Sequence, residues 1–311
     1  MDRQLVLHEL EPVVTDDVLP EGVRRRADRR LEPGVGVDRL AQHPLDLARD
    51  RPHHADEQLV LVAGAERSVA TAIGLGYRLV DTAYAYGNEV GVGRGVTASG
   101  VAREDVFITT KFNKEWHSVD GVADTTHASL RRLGVDYLDL LLVHWPNPAE
   151  DRYVQAWEGL VAIRESGLVR HIGVSNFLPE HIDRIVAATG VVPELDQLQI
   201  NPRWTQPEAR AYNVERGIVT QSWRPLGLGG ELLELPLVLE LADRYGVTPG
   251  QLVLAWHVAL GLSTTPKSSD PTRLAQNLAA AGIVLEADDV AALSALDGTE
   301  PDVTSPSTFG H

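Results

Sequence analysis

From Leu59 onward, short apolar runs rich in β-branched residues alternate with stretches of helical periodicity. The runs Arg78 to Thr82, Val106 to Lys111, Tyr137 to His144, His171 to Ser175, Leu195 to Asn201, Ile218 to Pro225 and Ser263 to Lys267 read as strands. Around them, Ala65 to Leu75, Val122 to Leu133, Tyr153 to Glu165, Glu180 to Ala188, Gln206 to Glu215, Leu237 to Tyr245, Pro249 to Leu260 and Pro271 to Ala280 read as helices. In the second helix, Val122, Ala123, Ala128, Leu130 and Leu133 form an approximate apolar stripe. Repeated alternation of strand and helix predicts an α/β fold with a parallel sheet covered by helices. The nearly unbroken apolar character of Leu138 to Val143 fits a strand buried on both faces.

The strand ends decide between an open sheet and a barrel. They carry Asp81, Lys111, His144, Asn176, Asn201, Trp223 beside Arg224, and Lys267. Polar groups at the end of one strand after another are the pattern of a (β/α)8 TIM barrel, whose site is built along the C-terminal rim. An open sheet would concentrate its site at one switch point. The first strand must then precede Ala65, and Gln58 to Val62 is its candidate, so this strand is expected to be atypical or missing.

Residues 1–57 have a different composition. Arg24, Arg25, Arg26, Arg29 and Arg30 sit among many acidic residues, and the segment has no Lys, Ser, Asn, Ile, Phe, Tyr or Trp. High charge without aromatic anchors predicts a disordered or poorly packed appendage, with the barrel spanning 58–311. An upstream break in reading frame would produce the same change, and a continuous frame in the transcript would refute that explanation.

The whole chain has 311 residues, 43% of them hydrophobic, enough for one large core. Without cysteine there is no disulfide, thiolate chemistry or thiolate-held zinc, so redox chemistry calls for a bound cofactor. A net charge of −16 disfavours nucleic acid and anionic membranes as partners. No apolar run has membrane-spanning length, and the acidic first twenty residues lack a signal-like core, which predicts a cytoplasmic protein.

The stretch Leu79 to Glu89 places a carboxylate, Asp81, at a strand end and a tyrosine, Tyr86, in the following turn. Lys111 and His144 close later strands and can converge on them. Reducing a carbonyl by hydride transfer leaves an alkoxide, so a proton must reach the oxygen as hydride reaches carbon. A tyrosine hydroxyl can give that proton if an ammonium stabilises the phenolate left behind, and a carboxylate can anchor the ammonium. Tyr86, Lys111 and Asp81 fit these roles, with His144 orienting the carbonyl oxygen.

Four ordered motifs carry a family resemblance: Asp81 to Glu89, Ile108 to Lys111, Leu142 to Pro146 and Gly173 to Phe177. Together they resemble the aldo-keto reductase superfamily across about Leu59 to His311. The stretch Gln221 to Gly227 is most similar to the bacterial 2,5-diketo-D-gluconate reductase branch, where a tryptophan replaces the more usual tyrosine. The resemblance implies an NADPH-dependent reductase of aldehydes, ketones or keto-sugars on a (β/α)8 barrel, working as a monomer. It also implies that Ser175, Asn176 and Gln197 hold the nicotinamide carboxamide and that Trp223 stacks on the ring. Pro225 and Leu226 belong to the same cofactor-binding stretch, and Lys267, Ser268, Arg273, Gln276 and Asn277 match an adenosine-phosphate clamp. Trp116, with His144, is a candidate wall of the substrate pocket. No metal is implied.

Each residue also has a plainer reading. Asp81 can support the turn, Tyr86 can pack a loop, Lys111 can end a strand in solvent, and His144 can be a satisfied core histidine. Trp223 can be core, Asn176 a helix cap, and Arg273 a solvated surface charge. Gly91, Gly93 and Gly95 lack the spacing and preceding strand of a dinucleotide-binding loop. The family's first-strand glycines have no counterpart at Asp56 to Leu59, Arg224 replaces a small residue, and Asn201 stands where histidine is common. These departures keep a second reading open: a catalytically impaired barrel that binds NADPH as a sensor or interaction protein. A metal-dependent barrel hydrolase is a weaker third, since His53 and His54 lie outside the regular region.

Overall fold

The computed structural model describes residues 52–309, with side chains from Val62 onward. Seven strands form one sheet in chain order: β1 (Leu79–Asp81), β2 (Phe107–Phe112), β3 (Leu138–Val143), β4 (Val169–Ser175), β5 (Leu195–Gln199), β6 (Val219–Trp223) and β7 (Ser263–Thr264). All six pairings are parallel, so each connection must cross back along the sheet, which helices accomplish. They are α1 (Pro52–Leu75), α2 (Glu89–Ala98), α3 (Val119–Leu133), α4 (Tyr153–Glu165), α5 (Pro179–Thr189), α6 (Pro207–Glu215), α7 (Pro236–Tyr245), α8 (Pro249–Ala259), α9 (Pro271–Ala279) and α10 (Ala287–Ser294). The sheet curls with its helices outside, the arrangement of a (β/α)8 barrel that lacks its first strand among the described residues.

The strand expected at Gln58 to Val62 is a correction: these residues lie within α1. A short apolar run does not by itself distinguish strand from helix. Here Leu59 to Ala63 passes through a single glycine into Ala65, Glu66 and Arg67 without a turn signal, and the helix continues unbroken. The division expected between residues 57 and 58 therefore falls inside a helix. Residues 1–51, the greater part of the segment expected to be poorly packed, lie outside the described residues.

The helix layer bridges the side where β1 and β7 form the sheet edges. The Tyr77 hydroxyl donates to the Leu274 carbonyl at 2.9 Å, tying the approach to β1 to α9. On the neighbouring side, a Cβ at Gly91 would lie 2.3 Å from the Val62 carbonyl, and one at Gly93 only 1.8 Å from the Leu133 carbonyl. These glycines let α2 approach α1 and the end of α3 backbone to backbone, a packing role in place of a phosphate loop.

In α3 the approximate stripe is completed by small polar residues. Thr125, Thr126 and Ser129 are buried beside Val122, Ala128, Leu130 and Leu133. The helix is closed by Ser118, which accepts from the Gly121 N–H at 3.0 Å, and by Gly134 in the left-handed conformation. Every residue of β3 is buried, including Asp139, which accepts from the Ile108 N–H at 2.9 Å and pairs with Arg103 and Arg170. One large apolar cluster fills the space between β1–β4 and the surrounding helices, and a second gathers around α7, α8 and α10. Among the described residues no helix is long and apolar enough to cross a membrane.

Candidate active site

The C-terminal ends of the strands bring three of the four expected catalytic residues into a connected group. Lys111 is buried in β2, and its Nζ donates to Asp81 Oδ1 at 2.6 Å and to the Thr82 carbonyl at 3.0 Å. The Gln197 amide donates to the other carboxylate oxygen, Oδ2, at 3.0 Å. Asp81 is thus held from two strands while it neutralises a buried ammonium, the arrangement a buried charge requires. Tyr86 ends a short 3-10 turn, Tyr84–Tyr86, closed by Gly87 at φ 64°. The Lys111 Nζ lies 5.3 Å from the centre of its ring.

His144 completes the constellation. Its ring meets the Tyr86 ring edge-on at a centroid distance of 5.9 Å, and its Nδ1 lies 3.4 Å from Asn113 Oδ1. Tyr86 is 46% exposed, whereas Lys111 and His144 are buried. The phenol therefore opens to a ligand from a wall of fixed charge. A polar donor beside a buried cation, with an imidazole alongside, is chemically suited to protonating an oxygen that becomes an alkoxide.

The expected nicotinamide partners form a network. Asn176 adopts a left-handed conformation at φ 62°, which asparagine tolerates better than most residues. Its Nδ2 donates to the His144 carbonyl at 3.1 Å and to Ser175 Oγ at 3.0 Å, while its Oδ1 accepts from the Trp223 indole at 2.8 Å. Ser175 Oγ donates to the Gln197 carbonyl at 2.9 Å. Gln197 uses Nε2 for Asp81 and for Gln221 Oε1, at 2.6 Å, so its side-chain oxygen Oε1 is the atom suited to accept from a ligand amide. The network expected to hold the cofactor and the carboxylate expected to be catalytic thus share one side chain.

The remaining expected residues are dispersed. Trp223 is half-buried between Trp145 and Arg224, Pro225 is buried, and Leu226 is partly exposed. Strand β7 stops at Thr264, so Lys267 lies on the following loop and is exposed. Ser268 Oγ accepts from the Asp270 N–H at 3.2 Å; Arg273, Gln276 and Asn277 all ride on α9. Arg273 is exposed and 3.8 Å from Asp270. Trp116 is buried edge-on to Tyr84 at 6.2 Å.

Several neighbours were not among the expected site residues. Gln221 joins Gln197 to Ser263, and Asn113 faces His144. The C-terminal tail is fastened over β5 and β6: Gln199 donates to the Asp302 carbonyl at 2.9 Å and Arg224 pairs with Asp302 at 3.2 Å. Phe309 then packs on Trp145 at 4.7 Å.

Residues 60–297 match the family model described as the aldo/keto reductase family. The chain belongs to the aldo/keto reductase family. It is 42% identical over 245 residues to methylglyoxal reductase DkgA of Salmonella typhimurium, covering 78% of this chain and 88% of that protein. It is 45% identical over 230 residues to 2,5-diketo-D-gluconic acid reductase B of a Corynebacterium species, covering 74% and 83%. Among solved structures, a mutant of Gox0644 in complex with NADPH superposes with a TM-score of 0.75 at 40% identity, covering 79% of this chain and 89% of that one. The aldo/keto reductase assignment makes this chain an NADPH-dependent oxidoreductase of carbonyl groups, built on the family's barrel.

The residues present fit NADPH. Trp223 offers a half-buried planar face, Gln197 and Asn176 offer amide oxygens, and Lys267 and Arg273 offer exposed cations for a 2′-phosphate.

Proposed function

We propose that this enzyme reduces small aldehydes, ketones or keto-sugars to alcohols at the C-terminal mouth of the sheet, with Tyr86 as proton donor. The observation that carries the assignment is the chain of contacts from Gln197 through Asp81 and Lys111 to Tyr86, beside His144. Bound NADPH supplies the hydride. Tyr86 gives its hydroxyl proton to the carbonyl oxygen, and the Lys111 ammonium stabilises the phenolate left behind. Asp81 keeps that ammonium anchored under the ring.

His144 orients the carbonyl oxygen. For Nε2 to donate, Nδ1 must accept, and turning the Asn113 carboxamide over presents its amide nitrogen there, since the amide oxygen and nitrogen are interchangeable in shape. Trp223 supports the nicotinamide face, Asn176 and Gln197 its carboxamide, and Lys267 with Arg273 the adenosine phosphate. Trp116, buried against Tyr84, backs the substrate side of the Tyr86 turn.

The relatives named for methylglyoxal and 2,5-diketo-D-gluconic acid support small, activated carbonyl compounds as the substrate class. The assembled constellation favours turnover over a binding-only role. The cysteine-free composition accords with action in the cytoplasm, and one chain supplies every residue named, so a monomer suffices. The test is NADPH consumption by the full-length protein with a panel of reactive aldehydes and ketones. Oxidation that depends on the carbonyl compound supports the reading; tight NADPH binding without oxidation across the panel overturns it.

A further inference from the structure

Nearly half of the Tyr86 surface is exposed, so its contacts with His144 and the Lys111 ammonium fix it only in part. Its position is set by the turn that carries it, and that turn is anchored by buried polar contacts on both sides. At the start, the Thr82 carbonyl accepts from Lys111, and the Thr82 hydroxyl donates across the turn to Asn88 Oδ1 at 2.6 Å. At the end stands Glu89, the first residue of α2 and only 2% exposed.

Glu89 is a buried carboxylate with two partners from different elements. Its Oε1 accepts from the Thr110 hydroxyl at 2.7 Å, and its Oε2 accepts from Arg132 Nε at 2.6 Å. Thr110 immediately precedes Lys111 in β2. Arg132 comes from α3, donates also to Ser129 Oγ at 3.0 Å, and lies over the Tyr84 ring at 5.2 Å. Tyr84 is in turn wedged against Trp116. One carboxylate therefore joins the exit of the tyrosine turn, the strand carrying the lysine and the helix behind the turn.

We propose that Glu89 is a positioning residue that fixes Tyr86 relative to Lys111, acting through Thr110 and Arg132. This rests on the assignment of Tyr86 as proton donor. A charge held in so dry a place is costly unless both oxygens find partners, and here one partner sits in the strand that carries Lys111 while the other covers Tyr84 of the turn. Loosening it lets an exposed phenol swing, and a displacement of about 1 Å at reacting groups costs on the order of 10²-fold in rate.

Glu89→Gln keeps the acceptor for Thr110 but sets an amide N–H against the Arg132 donor. Thr110→Val removes the link to β2 while leaving the Glu89–Arg132 pair intact, so it serves if the first variant folds poorly. The expected result for both is kcat lowered by roughly 10- to 100-fold, an enlarged solvent isotope effect on kcat, and unchanged NADPH affinity. In parallel, the NMR resonance of isotope-labelled Tyr86 Cζ is followed in wild type and variants, a readout independent of turnover. A shifted resonance supports the positioning role even if wild type proves inert toward carbonyls, in which case the proton-donor assignment fails separately. An unchanged Tyr86 resonance, or a fall in melting temperature without any change in kcat or isotope effect, overturns the proposal.

Discussion

Replacing Lys111 with methionine removes the ammonium while keeping most of the side-chain volume in a buried slot. Its Nζ lies 5.3 Å from the Tyr86 ring centre. At about that separation and an effective dielectric of about 20, a full positive and a full negative charge attract by about 3 kcal/mol. If the whole charge develops on the phenol in the transition state, kcat falls about 10²-fold; if half does, about 10-fold. A second effect must be separated from this one. Asp81 is left beside Gln197 without its cation, and an unpaired buried charge destabilises a fold by about 3–5 kcal/mol, less here because the Asp81 side chain is 12% exposed. The double variant Lys111→Met/Asp81→Asn removes both charges, so stability recovers in it and kcat does not. The assay is kcat from loss of NADPH absorbance at saturating aldehyde, with NADPH affinity from fluorescence titration and stability from urea unfolding. A single variant with kcat within about threefold of wild type, under 1 kcal/mol, refutes the electrostatic role. Recovery of kcat in the double variant refutes it equally, because the loss would then come from the stranded carboxylate.

Other expectations follow from single features. Arg273→Ala raises the dissociation constant of NADPH by roughly 5- to 10-fold at low salt and less at high salt, since the guanidinium is exposed and screened; equal weakening of NADH would refute the 2′-phosphate assignment. His117 is buried, and that burial, aided by the nearby Arg152, pushes its imidazole down to about 4. A base held below its ordinary 6.5 contributes stability that is fully present above that pH and is lost as pH falls toward 4, a change of about 3 kcal/mol. The urea midpoint of His117→Leu should accordingly fall less than that of wild type between those pH values, and equal acid sensitivity would contradict the assignment.

The residues proposed to be catalytic were legible because Asp81, Lys111 and His144 stand where apolar strands end, with Tyr86 in the turn after the first, and a barrel gathers such ends on one rim. What joins them was hidden. Glu89 and Arg132 lie 43 positions apart in the chain, and nothing in either local pattern marks a buried pair. Gln221 sits in the middle of an ordinary strand, and only its neighbours β5 and β7 reveal it as the link from Gln197 to Ser263. The small polar residues of α3 blurred its apolar stripe because a short hydroxyl side chain fits a closely packed helix face and can satisfy itself on the helix, as Thr126 does by donating to the Val122 carbonyl at 2.6 Å. The run at Gln58 to Val62 misled for the opposite reason: four consecutive apolar positions fit either periodicity, and the helix-forming residues that follow decided it.

The central claim is that Tyr86 donates the proton in an NADPH-dependent carbonyl reduction, and Tyr86→Phe tests it most directly. Wild type and variant are compared for NADPH oxidation with a reactive aldehyde and, in the same preparations, for NADPH binding by fluorescence. Near-complete loss of oxidation with binding retained is the predicted result. Turnover by the phenylalanine variant at the wild-type rate would contradict the account.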